Sequence, residues 1–441
     1  MSEQHEETAQ QAPLTAEEAY ARFVPRQFLQ LLGRPSILDV TLGDHVEQQM
    51  TLLFSDIRDF TSLSESILPA ENFRFINSYL STMEPVVSRH QGFVDKYIGD
   101  AIMALFPNNA DDAVRCGIDM LRQLKIYNDG RSHAGYVPIR IGIGINTGLV
   151  MMGTVGGHNR MDSTVIGDTV NKAARLEGLT KSYNAPFLIS EHTLHELRNP
   201  DDYCLRFIDR QSVKGRYPAQ SIYEVFDADP EPLWLAKQGT LDMFEEALAF
   251  FHMGNSAAAL PLLEKCLEVA PDDRIVEGYV ERCREAIRSE ADKNRTPGID
   301  VEWRNDYSVG IDSMDRQHTR LLDLIGDLSR AVYVADAGIE ARSGANPDPI
   351  ATELAEHLTA HFNAEENLMR RYKYPFLADH QQQHKVFFNA FEGLRAEIMV
   401  SNVSPIRLLF RIQLVLVDWY INHITKSDVH LGNFLLRAGL R

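Results

Sequence analysis

The apolar run Leu52-Leu53-Phe54 leads through Ser55 straight into Asp56, and Asp59 lies one helical turn further on. A buried strand that ends in an acidic turn sets a carboxylate at a sheet edge, where a metal ion can meet it. The same pattern also suits a strand followed by a helix N-cap, with Asp59 or Thr61 satisfying backbone N–H groups. A second alternating stretch, Phe93 to Phe106, turns about Gly99-Asp100 and carries another carboxylate to a hairpin end. Two such carboxylates suit a pair of hard cations gripping the phosphates of a nucleotide. The spacing predicts strands over Val40–Phe54 and Phe93–Phe106 with a helical stretch, Asn72–His90, between them. A helix over Asp111–Tyr127, a strand over Val137–Ile145 and a helix within Val165–Leu179 follow. Gly142 and Gly144 read as strand glycines with no dinucleotide meaning.

Elsewhere the apolar spacing is helical. Residues 1–14 are polar and acidic without periodicity, which predicts disorder. Thr15-Ala-Glu-Glu opens a helix signal that continues past Pro25 through Phe28, Leu31 and Leu32. After Phe226, Asp-Ala-Asp-Pro-Glu-Pro marks a linker, residues 240–273 read as a helical hairpin, and Arg274–Arg288 as one more helix. From Trp303 onward no alternation occurs. Seven of the fifteen histidines of the chain fall in this last region, which makes it a second chemical centre.

Composition narrows the partners. At 441 residues the chain exceeds one core, and about three domains are expected. A net charge of −18 with no basic block argues against nucleic acid or an anionic membrane as partner. An anionic substrate must then rely on metal ions and a few local cations. Cys116, Cys204, Cys266 and Cys283 show no CxxC spacing, which argues against disulfides and thiolate metal sites. With a polar N-terminus, no signal peptide is expected. The most apolar late run, Leu408–Ile421, is interrupted by Arg411, Gln413 and Asp418, so no membrane span is expected and the location expected is cytoplasmic.

With FSDIRDFT at 54–61, DKYIGDAIMALF at 95–106, TVIGDTVNKAARLEG at 164–178 and VKG at 213–215, the segment from Leu38 to Phe226 resembles the catalytic domain of class III nucleotidyl cyclases. The resemblance implies a ferredoxin-like α+β core. It also implies that Asp56 and Asp100, with Ile57 beside them, hold two Mg²⁺ or Mn²⁺ ions at each cyclase site. One ion would lower the pKa of the ribose 3′-hydroxyl and the other would neutralise the triphosphate. Asn171 and Arg175, four apart on one helix face, correspond to the residues that position the ribose and stabilise charge at the α-phosphate. Lys214 corresponds to the lysine on the terminal phosphates; a plain turn lysine is the alternative. Lys96 corresponds to the base-reading lysine, and an ammonium can only donate, which suits adenine N1 and opposes guanine. Its partner position falls on Thr164, where many members of the family have Asp. Threonine can accept from the adenine N6 amine but can also donate. The substrate implied is ATP. In the family the two aspartates come from one subunit and the lysine, asparagine and arginine from the other, which implies a head-to-tail homodimer.

In the last region His361 and Glu365, like His380 and His384, stand four apart on a helix, and His423 precedes Asp428 by five. A single such pair is ordinary surface chemistry; three on successive helices, plus His318, point to one metal site. With Asp315-Arg316-Gln317-His318, HFNAEENLM, HQQQH and HITKSD, the region from Trp303 resembles the hemerythrin family and implies a four-helix bundle. The resemblance assigns His380, His384 and His423 to one iron of an oxo-bridged pair, His318 and His361 to the other, and Glu365 and Asp428 to both. The less-ligated iron would take O₂ or another small diatomic ligand. Five imidazoles with two carboxylates favour reversible binding over oxidase chemistry. His357 and His430 fall outside the pattern and read as structural or surface residues, and Ala335–Pro349 reads as an extended loop.

The expected order is therefore a disordered segment, 1–14; a helical lead-in, 15–45; a catalytic domain, 46–227; a tetratricopeptide-like connector, 235–290; and a diiron bundle, 299–441. A single repeat cannot bury its own face, so the connector is expected to dock on a neighbour. The function expected is an adenylyl cyclase regulated by O₂, redox state or NO at the diiron domain. The alternatives are an unregulated cyclase fused to an O₂- or iron-storage domain, and a catalytically dead interaction module. The last is disfavoured because no expected catalytic side chain is missing.

Overall fold

The computed structural model describes residues 20, 23–65, 67–157, 160–211, 220–289, 299, 301–336, 347–399 and 404–440. The chain divides into two units, 1–178 and 179–441. The first contains α1 (Arg26–Leu31), β1 (His45–Ile57), α2 (Phe60–Glu65), α3 (Pro69–Arg89), β2 (Phe93–Ile98), β3 (Ala101–Phe106), α4 (Ala110–His133), β4 (Ile141–Gly157), β5 (Arg160–Ile166) and most of α5 (Asp168–Ser182). Its strands lie in the order β2-β3-β1-β4, all antiparallel, with β5 paired to the far half of β4. The β-α-β-β-α-β order in that arrangement is the ferredoxin-like core. Leu52, Phe54, Phe93, Met103 and Leu105 are buried on one face with Phe28 of the lead-in helix.

β4 runs past the predicted end at Ile145 to Gly157, because residues 146–153 pair with β1 and residues 151–157 with β5. Gly144 has a packing role that its sequence context does not reveal. A Cβ there would lie 2.1 Å from the Glu177 backbone nitrogen, so only glycine lets α5 rest on the strand.

The second unit contains β6 (Phe187–Ser190), α6 (Glu191–His195), β7 (Leu205–Gln211) and β8 (Gln220–Val225), with β8 between the other two. Three helices follow: α7 (Glu231–His252), α8 (Ser256–Val269) and α9 (Arg274–Arg288). Their docking surface is the β7–β8 pair. Arg206 of β7 is fully buried and reaches Glu224 at 2.5 Å and both Asp273 oxygens at 2.6 and 2.8 Å. Lys237 of α7 closes the group on Glu224 at 2.9 Å and Asp229 at 2.6 Å. Asp273 also caps α9, accepting from the Ile275 and Val276 N–H groups. Burial works to raise the Asp273 carboxyl, but the Arg206 hydrogen bonds and charge outweigh it and hold the group below its ordinary value.

The bundle comprises α10 (Asp312–Asp336), α11 (Pro347–Tyr372), α12 (Leu377–Ile398) and a last helical rod over 405–437, α13. α10 and α11 take in both ends of the predicted 335–349 loop, whose middle lies outside the described residues, as does the predicted helix start at Thr15. Within α13 two π-helical stretches, Ile412–Asp418 and Ile424–Asp428, alternate with α-helical turns. Among the described residues no helix is long and apolar enough to cross a membrane.

Asp273→Ala leaves Arg206 buried and half-paired, and should destabilise the chain by about 3–5 kcal/mol in urea unfolding. Because the folded carboxyl is depressed, its contribution is present above the ordinary carboxylate range and lost as pH falls through the depressed value. The gap between wild type and variant should therefore narrow on acidification.

Candidate active site and candidate metal centre

β1 delivers Asp56 to its C-terminal end, half-buried, and the β2–β3 turn delivers Asp100 beside it. The Ile57 N–H donates to Asp56 Oδ1 at 3.1 Å and to Asp100 Oδ2 at 3.2 Å, so one backbone group gathers both carboxylates. Asp100 is pushed up to about 7, first by burial and then by the Asp56 carboxylate facing it. Two carboxylates forced together, with no neutralising side chain beside them among the described residues, fit a site for hard divalent cations.

Lys96 and Thr164 are far apart in sequence, yet the Lys96 ammonium donates to Thr164 Oγ1 and to the Ser163 carbonyl, each at 3.3 Å. Asp95, which the motifs did not single out, also pairs with the ammonium at 3.3 Å with a side chain only 1% exposed. Asn171 and Arg175 are exposed on α5, while Ala173 and Leu176 of the same helix are buried. Lys214 lies outside the described residues.

In the bundle, His318 on α10, His361 and Glu365 on α11, His380 and His384 on α12, and His423 and Asp428 on α13 converge, all fully buried. Glu365 stands with His380, His384 and His423 in one group able to hold a metal ion, and with His318, His361 and Asp428 in another. The pair His423 and Asp428 meets at 3.1 Å only because 424–428 is π-helical. On an α-helix residues five apart point to different faces; the wider π turn returns them to one.

Both oxygens of Glu365 and Asp428, both nitrogens of His318 and Nε2 of His361 are buried with no hydrogen-bond partner among the described residues. The Nε2 atoms of His380 and His384 each crowd His423 Nε2 at 3.2 Å. Burial opposes charge on these groups, yet Asp428 and Glu365 push His318 and His380 up to about 9, while burial drives His423 down to about 4. Orphaned atoms of both kinds at one point fit transition-metal ligation by imidazole and carboxylate.

The outer nitrogens are oriented by residues the sequence did not single out. Gln317 Oε1 accepts from His361 Nδ1 at 3.1 Å, Gln383 Oε1 from His423 Nδ1 at 3.2 Å, and Glu366 reaches His384 Nδ1 at 3.4 Å. Each is the immediate neighbour of a cluster residue in sequence, and each serves a histidine on a different helix. Adjacency to a candidate ligand was the available signal; the helix served was not readable. Trp419 stacks on His423 at 4.5 Å and Phe362 on His384 at 3.9 Å, which fixes both rings. His357 and His430 stay out of the cluster, paired with the Glu353 carbonyl and the Tyr374 hydroxyl.

Residues 44–226 match the family model of the adenylate and guanylate cyclase catalytic domain, and residues 309–435 that of the hemerythrin HHE cation binding domain. The chain joins a nucleotidyl cyclase catalytic domain to a hemerythrin domain. It is 47% identical over 214 residues to an adenylate cyclase of Anabaena cylindrica, covering 47% of this chain and 43% of that one. It is 37% identical over 281 residues to the terminal-differentiation specific adenylate cyclase of Dictyostelium discoideum, covering 62% of this chain and 13% of that one. The chain thus spans less than half the length of either relative. Among solved structures, the adenylyl cyclase CyaB from P. aeruginosa is 33% identical over 42% of this chain and 96% of that one, with a TM-score of 0.38.

Metal removal should destabilise the hemerythrin domain. Chelation is expected to lower its thermal midpoint, since a ligand at about 100 times its Kd adds roughly 2.7 kcal/mol to the folded state. His380→Ala should lower bound metal per chain in elemental analysis and shrink that difference. A chelation-insensitive midpoint in metal-loaded protein would count against a metal role for the cluster.

Proposed function

We propose that the chain is an adenylyl cyclase, converting ATP to 3′,5′-cyclic AMP and diphosphate, whose rate follows the state of a diiron centre in its hemerythrin domain. The contact of Lys96 with Thr164 carries the base assignment. The ammonium is donor only, and its bond to Thr164 Oγ1 takes one lone pair, leaving the other to accept from the adenine N6 amine. Guanine would present a donor at N1 to the ammonium and an acceptor at O6. The relatives named as adenylate cyclases support the same substrate.

Asp56 and Asp100 hold the divalent ions, with Ile57 at their side. Those ions, when bound, acidify the ribose 3′-hydroxyl and screen the triphosphate. Asn171 orients the ribose, Arg175 meets charge developing at the α-phosphate, and Lys214 contacts the terminal phosphates. The exposure of Asn171 and Arg175 supports their service to a partner subunit's aspartates. Tyr97, Ile98, Met151, Val155, Met161 and Ile166 are all exposed on β2, β4 and β5, an apolar surface suited to a second copy. In the hemerythrin domain, His380, His384 and His423 hold one iron, His318 and His361 the other, and Glu365 and Asp428 both. O₂ or another small diatomic ligand is the signal.

Asp56→Ala and Arg175→Ala should each lower kcat by about 10²–10³. Mixed and allowed to exchange, they should regain activity from the one intact shared site. Failure to recover, with exchange demonstrated, would overturn the head-to-tail dimer. Faster turnover of GTP than of ATP would overturn the base assignment. Cyclase rates of iron-loaded protein should differ about 5–150-fold between the anaerobic reduced and O₂-exposed states, the range of ordinary allosteric coupling. Equal rates would leave an O₂- or iron-storage domain beside an unregulated cyclase.

A further inference from the structure

The rod α13 has two working faces. One carries His423 and Asp428 into the metal cluster. The other carries Asp418, Asn422 and Lys426 at intervals of one turn, and each of these lands on the part of the cyclase match that lies in the second unit, 179–226. Asp418 accepts both arms of the Arg210 guanidinium of β7 at 2.5 Å, and Gln413 at 2.8 Å. Asn422 donates to the Glu191 carboxylate at the start of α6. Lys426 donates to His192 Nε2 at 2.5 Å and to Asn422 Oδ1 at 2.9 Å, and Gln220 of β8 meets the other His192 nitrogen at 2.9 Å. Trp419 joins the two faces: it stacks on His423 and presents its ring to His195 of α6 at 6.2 Å.

We infer that this junction, in which the stripe Asp418, Asn422 and Lys426 grips β7 and α6, is the route by which the state of the metal centre reaches the catalytic domain. The inference rests on the sensor reading above. Asp418, Asn422 and Glu191 are buried, so a displacement of α13 has no water to take over the broken pairs and must carry α6 with it. The π-helical stretches 412–418 and 424–428 bracket Trp419–His423, the turn that both ligates and touches α6. A π turn carries one more residue than the α turn it replaces. Relaxing either stretch rotates Asn422 relative to the rest of the rod. Beyond the junction the covalent chain is short: α6 follows β6 directly, and β6 is the next element after α5, which carries Asn171 and Arg175. The connector offers a competing route, since Arg407 of α13 pairs with Asp242 and Glu245 of α7 at 3.0 and 2.9 Å.

Two measurements on the full-length, iron-loaded protein test the junction. The first is the ratio of cyclase rates between reduced and O₂-exposed states. Asn422→Leu and Lys426→Met should bring it toward one while iron content, the visible spectrum and the basal rate stay at wild-type values. Glu191→Gln, which keeps an acceptor for Asn422, and Arg407→Ala, which cuts the connector link, should retain it. A wild-type ratio in Asn422→Leu, or its loss in Arg407→Ala alone, would overturn the junction in favour of the connector. The second measurement needs no cyclase response. Amide hydrogen exchange over 187–195 should change when azide is added to the iron-loaded wild type, and should not change in Asn422→Leu. Exchange that responds over 419–428 but not over 187–195 would overturn the proposal. If wild-type rates are equal in all states, the sensor reading fails, and the exchange result still decides whether the junction transmits.

Discussion

Among the described residues, Glu365 and Asp428 place four carboxylate oxygens in the bundle core with no hydrogen-bond partner, facing nitrogens of His318 and His361 in the same state. Carboxylates buried against crowded imidazoles alone are costly, and the Leu and Phe side chains packed around them offer no hydrogen bond. Metal ions held here would satisfy oxygens and nitrogens together. That single requirement accounts for the bundle: four helices bring their histidines and carboxylates to one point, the fourth adopts a rare π turn so that His423 and Asp428 face the same way, and Gln317, Gln383 and Glu366 reach between helices to aim the rings.

The same rod is held from behind. The cluster residues His423 and Asp428 hold one face of α13, and an ion pair, a buried hydrogen bond and a half-buried one fix the other to β7 and α6. The Arg206–Glu224–Asp273–Lys237 group ties α7 and α9 to the same strands, so the connector has a foundation instead of an open face. A helix gripped on both sides transmits displacement and does not absorb it, because packed interiors change by discrete steps.

The cyclase half rests on a different constraint, the exact period of a β-sheet. β1 and the β2–β3 hairpin carry Asp56 and Asp100 to one edge, and the pairing of β4 with β5 brings Thr164 within reach of Lys96. Glycine at 144 lets α5 seat on the strand, with Asn171 and Arg175 turned away from it. Precision here comes from backbone pairing, and in the bundle from charge.

How much of this the sequence determined follows from how local each constraint is. Alternation about Asp56 and Asp100, the four-residue spacing of His361 with Glu365 and of His380 with His384, and the limits of α9 are properties of consecutive residues, and all were legible in the chain. The far half of β4 was not, because its strand character comes from partners in β1 and β5. Nor was the facing of His423 and Asp428, whose five-residue spacing suits neither an α-helix nor a strand until the cluster pulls the turn into π geometry. Gln317, Gln383 and Glu366 each act on a different helix, and Asn422 and Lys426 on elements more than two hundred residues earlier in the chain. Periodicity determines which face of an element is apolar. Only the packed chain decides what that face, or the polar one behind it, meets.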